Sequence, residues 1–358
     1  GVDLPAYTPS RVSADRAFWQ IVGGYNSTDH VGLKFVDVIN HHSRAGLTMD
    51  DLWAMKTDGY GQDEWMNLAA DIVGVTARLT AKFNGEHDPS QPRYARVPVG
   101  PTCAFCILMA SRGFVYWSEE KAGGRDNRYH KNDDCRIVSS WGEAHVKGYD
   151  PEGMKARYLQ CRKTIAGMLN RDEYGKYVAR MKDAGKDEDE IDDYNLWTTH
   201  RITEEMSQRD RRWLYDGTTP EPSVESARAW SELQKHERKT LDALKDNGFA
   251  VTVRERSDKQ GVKTSDAIIN GKRVDFKAPE GHGKNTIDQL LRSAARQGDA
   301  AVIHLQKERT ELDAEACKDY IRSSLRRRRL DYVLLIDYDG NIVRVERDTE
   351  TASHSQSQ

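Results

Sequence analysis

The stretch from Ser265 to Pro279, SDAIINGKRVDFKAP, decides how the C-terminal half is read. Asn270-Gly271 stands between two short runs rich in β-branched and apolar residues, the strongest local hairpin signal a sequence offers. A two-residue loop there pairs Ile269 with Lys272, Ile268 with Arg273 and Ala267 with Val274. The next pair is Asp266 with Asp275. Two carboxylates then face each other across neighbouring strands, with Cβ atoms roughly 4.5–5.5 Å apart, an arrangement that normally destabilises a sheet. Something must offset it. On the second strand Asp275 and Lys277 share one face and Val274 and Phe276 the other, so an ammonium group lies beside the facing aspartates.

Residues 224–247, ahead of the first strand, read as one helix with Trp230, Leu233, Leu241 and Leu244 along a single apolar stripe. Glu237 lies inside that stripe, four residues from both Leu233 and Leu241, whereas Glu232 projects about 100° away toward solvent. A carboxylate on a face that packs against a sheet is expensive to bury alone and needs a cation or a proton. Glu237, Asp266 and Asp275 together make an oxygen-rich pocket suited to Mg²⁺ or Mn²⁺. Such an ion polarises a phosphodiester and acidifies a bound water, while Lys277 orients the nucleophile or stabilises developing negative charge. The sequence therefore predicts a catalytic set of Glu237, Asp266, Asp275 and Lys277.

Around this hairpin, strands FAVTVRER and AAVIHLQ, helices at 285–297 and 312–328, and closing strands DYVLLID and NIVRVER predict an α/β domain with a mixed sheet over 224–347. The polar, Pro- and Gly-containing DGTTPEPS at 216–223 marks its start. Residues 1–150 read as mainly helical, 151–223 as a polar helical linker whose acidic run DEDEIDD is a solvated face, and 348–358 as a disordered tail. The fold class expected is α+β and multi-domain.

At 358 residues the chain exceeds one ordinary core, which agrees with two domains. No apolar run approaches the ~20 residues of a membrane span, and no charged-then-apolar leader opens the sequence. The first residue is Gly, which reads as a processed fragment or a missing true beginning. Five cysteines make no disulfide framework, so a reducing compartment is expected. The net charge of −3 hides an asymmetry: residues 222–347 carry 25 Lys and Arg against 21 Asp and Glu, a local balance of +4. That surplus permits a nucleic-acid partner. Candidate phosphate contacts are Arg326, Arg327, Arg328 and Arg329, which also suit the negative end of a helix dipole, and Lys284.

The segments ERKTLDALKDNGFAV, SDAIINGKRVDFKAP and AARQGDAAVIHL resemble the C-terminal nuclease domains of contact-dependent growth inhibition toxins, in the PD-(D/E)xK superfamily. The resemblance implies active residues at Glu237, Asp266, Asp275 and Lys277, a polar residue near the site at Gln297, and a cognate immunity protein as partner. It also implies cleavage of nucleic acid in a bacterial cytoplasm, with RNA such as transfer RNA the first expectation and DNA the competitor.

Upstream, CAFC and HKNDDC supply Cys103, Cys106, His130 and Cys135, a candidate tetrahedral zinc set that would close 103–135 into a small loop-rich unit. VPVGPTCAFCILMASRGFVYWSEEKAGG followed by YHKNDDC resembles phage Mu-type minor head (MuF-like) proteins. Asp133 stands where those proteins carry the first of a Cys pair. This resemblance implies a place in the phage head, with portal and head proteins as partners. The alternative function is a structural head protein whose C-terminal domain binds DNA, or cuts phage or competitor DNA.

Overall fold

The computed structural model describes residues 8–11, 53, 56–57, 59, 61–117, 121–122, 135–142, 144–258, 264–281 and 283–347. His130, most of the expected helical stretch before residue 61, and the tail 348–358 lie outside the described residues. No described helix is long and apolar enough to cross a membrane. The chain divides into two compact units, 1–155 and 156–358.

The first unit contains the long helix α1 (Gln62–His87), strand β1 (Arg93–Pro98), the short helix α2 (Ala104–Ala110) and strand β2 (Cys135–Ser140). β1 and β2 pair antiparallel with Pro98 opposite Cys135. Tyr94, Met109, Tyr116, Ala122 and Ile137 form the core beside this ribbon. The extended run RYARVPVGPT thus becomes the strand that carries the cysteine block.

The second unit is built on a seven-stranded mixed sheet in sequential order: β3 (Ser223–Val224), β4 (Val251–Val253), β5 (Ala267–Ile269), β6 (Lys272–Lys277), β7 (Ala300–His304), β8 (Tyr332–Ile336) and β9 (Ile342–Glu346). β6, β7 and β8 run parallel; β4, β5 and β6 form antiparallel neighbours, as do β8 and β9. Alternation sorts the side chains into two layers. Val274, Phe276, Ala300, Val302 and Leu334 pack on one face with Leu241 and Leu244, whereas Ala301, Ile303, Val333 and Leu335 meet Ile287, Leu291 and Ile321 on the other. Gly298 lets β7 begin against β6, since a Cβ there would stand 2.5 Å from the Arg273 carbonyl oxygen.

The helix expected over 224–247 is two helices, α7 (Ala227–Glu232) and α8 (Lys235–Asp246). Leu233 and Gln234 are extended between them, and Gln234 and Glu237 form a capping box that starts α8. The break turns Trp230 out of the expected stripe. It is 43% exposed and lies beside Arg238, while Leu233, Leu241, Leu244 and Glu237 stay buried.

Over 151–223, where the sequence predicts a polar helical linker, the structure has helices α3 (Pro151–Thr164), α4 (Arg171–Asp183), α5 (Tyr194–Met206) and α6 (Arg211–Asp216). The unit boundary falls inside α3, and everything after it shares the compact unit of the sheet. Polar composition hides a sparse inner face: Trp197, Ile202, Met206, Trp213 and Leu214 are buried. Glu205 is buried with them, its oxygens 2.8 Å from Arg209 Nη1 and 2.9 Å from Arg344 Nε of β9. Arg209 in turn lies over Phe249. The acidic run stays at the surface, where Glu188 and Glu190 pair with Lys182 and Lys186.

Candidate active site

The hairpin has the register that its turn dictates. Asn270 and Gly271 both take positive φ, 50° and 76°, and Ile269, Ile268 and Ala267 pair with Lys272, Arg273 and Val274. The ladder stops there. Asp266 accepts the Arg254 N–H through its carbonyl and, through its side chain, the Phe276 N–H at 2.7 Å. A carboxylate therefore completes the backbone pairing that β5 leaves unfinished.

Asp275 and Lys277 face away from the layer that holds Val274 and Phe276. Asp275 is 1% exposed, and its Oδ2 is 2.5 Å from Lys277 Nζ and 3.4 Å from Gln297 Nε2. Its Oδ1 is buried without a hydrogen-bond partner. The Asp266 carboxyl lies within hydrogen-bonding range of Asp275. Burial first, and the Asp275 charge second, push Asp266 up to about 6, against the pull of the Phe276 N–H and Lys277.

Glu237 reaches this corner from the other layer. Its Oε2 accepts the Gln234 N–H at 2.7 Å, and Arg256 Nη2 stands 2.9 Å from Oε1 and 3.1 Å from Oε2. The same Arg256 Nη2 is 3.7 Å from Asp266 Oδ1. The structure thus joins Asp266, Asp275, Lys277 and Gln297 directly and connects Glu237 to them through Arg256. Sequence reasoning missed Arg256, which follows β4 in irregular chain where no periodicity singles it out. His236 lies alongside, held below its ordinary value by burial and then by Arg309, while Glu237 and Asp266 pull the other way.

Among the described residues, no three His, Cys, Asp or Glu side chains are arranged ready to hold a metal ion. At the corner of Asp266 and Asp275, Arg256 engages both oxygens of the neighbouring Glu237. The chemistry nevertheless suits a divalent ion: Asp275 Oδ1 lacks a partner, Asp266 faces it, and Mg²⁺ needs only one or two carboxylates beside water and phosphate. Two buried acids without enough donors require either a shared proton or a cation.

The basic candidates are divided. Arg327 and Arg328 ion-pair with Asp288 at 3.1 and 2.8 Å, tying the end of α10 (Ala314–Leu325) to α9 (Lys284–Ala294). Arg326, Arg329 and Lys284 are exposed. In the first unit, Cys103 Sγ accepts the Cys106 N–H at 3.5 Å, and Thr102 Oγ1 is 3.9 Å from Cys135 Sγ. Hydrogen bonding to Cys103 lowers the Cys106 thiol, but the bond to Cys135 and burial leave it raised to about 11. None of the five cysteines is in a disulfide. Cys103, Cys106 and Cys135 adjoin one another, while the fourth expected ligand, His130, is outside the described residues.

Against known proteins, the model of a family described as VG15 protein matches residues 39–161. The model described as contact-dependent growth inhibition CdiA C-terminal domain matches residues 263–342, which include Asp266, Asp275, Lys277 and Gln297. A solved CdiA-CT/CdiI toxin and immunity complex from Burkholderia pseudomallei is 25% identical, covering 30% of this chain and 80% of that one with a TM-score of 0.25. No curated protein sequence matches. The chain joins an N-terminal region similar to the VG15 family to a mixed-sheet domain similar to the C-terminal toxin domain of contact-dependent growth inhibition proteins.

Proposed function

We propose that the second unit is a metal-dependent endonuclease of the PD-(D/E)xK pattern, a toxin that cleaves nucleic acid, RNA such as transfer RNA foremost. One observation carries the reading: Asp275 Oδ1 is buried without a donor opposite a second buried acid, and Lys277 lies against the other oxygen of the same carboxylate. A fold spends stability on such a corner where chemistry needs it.

Asp266 and Asp275 would hold Mg²⁺ or Mn²⁺, with Glu237 as a third carboxylate once Arg256 turns away. What such an ion supplies is polarisation of the phosphodiester and a more acidic water. Lys277 Nζ, which lies against Asp275, would stabilise charge that develops on the phosphate oxygens. Asp266 has a second task, since its bond to the Phe276 N–H fixes the strand segment that carries Asp275 and Lys277. Gln297 donates to the Asp275 carboxylate from α9's C-terminal side.

We read the first unit as a phage minor head module of the MuF kind, with portal and head proteins as neighbours, a structural zinc on Cys103, Cys106, His130 and Cys135, and delivery into a bacterial cytoplasm. The match to the growth-inhibition toxin domain supports an immunity protein as the partner of the second unit.

Purified full-length protein incubated with transfer RNA, total RNA and plasmid DNA, with Mg²⁺ or with chelator, tests the proposal. RNA cleavage that needs Mg²⁺ and disappears in Asp275→Ala is expected. If every substrate stays intact, or Asp275→Ala cuts like wild type, the nuclease reading is wrong. Duplex DNA cut with RNA spared would favour a nuclease directed at phage or competitor genomes.

A further inference from the structure

At the C-terminal end of β6, a groove of about 450 Å³ opens beside Glu237 and Lys277. That size falls within the range of roughly 300–1,000 Å³ common for small-molecule sites. Leu290 and Gln289 of α9 line it, and Phe276 and Ala278 lie almost wholly buried at its floor. Among the described residues the exposed Gln289 amide has no hydrogen-bond partner, although it belongs to the helix that walls the groove.

The opposite wall is fixed in place. Thr310 Oγ1 donates to the Gly281 carbonyl at 2.9 Å, and Arg309 pairs with Glu280. Gly281 fits closely against α9, since a Cβ there would stand 2.7 Å from Thr286 Oγ1. Charge along the groove nearly cancels: Lys277 and Arg309 are set against Glu237 and Glu280. A track for phosphates would be cationic throughout. This groove instead offers a mostly polar lining with Leu290 as its apolar patch, an amide with one donor and one acceptor side, and charges of both signs in equal number, next to the corner assigned to the phosphodiester.

We infer that the groove receives an unpaired nucleobase of a single-stranded nucleic acid, with Gln289 reading its edge. The inference rests on the nuclease reading and narrows it: a base stacked inside a duplex cannot enter without being unstacked, so single strands and loops are the substrates.

Two measurements on the full chain test it. In the Asp275→Ala background, fluorescein-labelled single-stranded RNA, single-stranded DNA of the same sequence, and the corresponding duplexes are titrated. In the active protein, cut positions are mapped on the same strands. Single strands should bind more tightly than duplexes, and the stronger of the RNA and DNA arms identifies the source of the base. Adding Gln289→Ala should weaken single-strand binding about 3- to 10-fold, the worth of one hydrogen bond, and flatten the base preference of cutting with melting unchanged. Duplexes that bind as tightly as single strands, or an unchanged affinity and cut pattern in Gln289→Ala, would overturn the base site. A wild-type protein that cuts nothing, while Asp275→Ala still binds single strands through Gln289, would instead overturn the nuclease reading and support the base site.

Discussion

Two buried acids in the second unit meet opposite treatment. Glu205 is surrounded by compensation: Arg209 stands at one oxygen, Arg344 at the other, and the whole group joins α5 to β9. Asp275 has Lys277 and Gln297 on one oxygen, nothing on the other, and a second carboxyl opposite. The first arrangement is closed and serves the fold. The second is open, and its missing partner points to a function performed by something from outside the chain.

Substitutions should separate the two. Asp275→Ala is expected to lower nuclease activity about 10³-fold or more, because it removes a carboxylate and frees Lys277. Asp275→Asn should lose as much activity while melting no lower than wild type, since a neutral amide relieves the repulsion with Asp266. Cleavage assays and thermal melts on the same samples check both statements. Glu205→Ala should do the reverse, costing about 3–5 kcal/mol by leaving the buried Arg209 without its carboxylate and Arg344 with only Glu346. Any fraction of that variant that stays folded should cut normally, as denaturant curves beside activity per folded molecule will reveal.

The next test uses pH. Asp266 is raised from 3.8 to about 6, so the folded protein holds this proton more tightly than the unfolded chain does. Its stabilising contribution is complete below the unfolded value and is lost as pH rises through the folded one. Metal-free protein should therefore be less stable at pH 7.5 than at pH 5, by on the order of 1.4 kcal/mol. Asp266→Asn should remove that slope, and Mg²⁺ should recover stability at the higher pH. A metal-free slope of opposite sign would show that other groups dominate the corner.

The smallest effect belongs to Arg256, whose side chain is 40% exposed. Arg256→Ala should cost at most about 1 kcal/mol and free Glu237. Mg²⁺ affinity measured by calorimetry should then rise severalfold; a fall would mean that Arg256 orders the carboxylates instead of competing for them.

The legible part of the site was the part governed by local rules. Asn270-Gly271 sets the register, strand alternation places Asp275 beside Lys277, and helix spacing buries Glu237. What escaped was settled by tertiary packing. Gln234 is a weak signal for a helix start, so the break that exposes Trp230 was not foreseen. Arg256 meets Glu237 across 19 residues of sequence, and no local pattern announces that contact. The helices of 156–216 looked like a linker because Trp197, Ile202, Met206, Trp213 and Leu214 are few among many charges.

Those helices govern how the molecule can be taken apart. A protease that severed the chain at the Pro-rich bend of 216–223 would take Arg209 and Glu205 from beside Arg344 and pull Trp213 off Gly248. The fragment released would begin life with a bare strand and a stranded guanidinium. Any piece of the chain that is to keep the sheet intact must bring these helices with it.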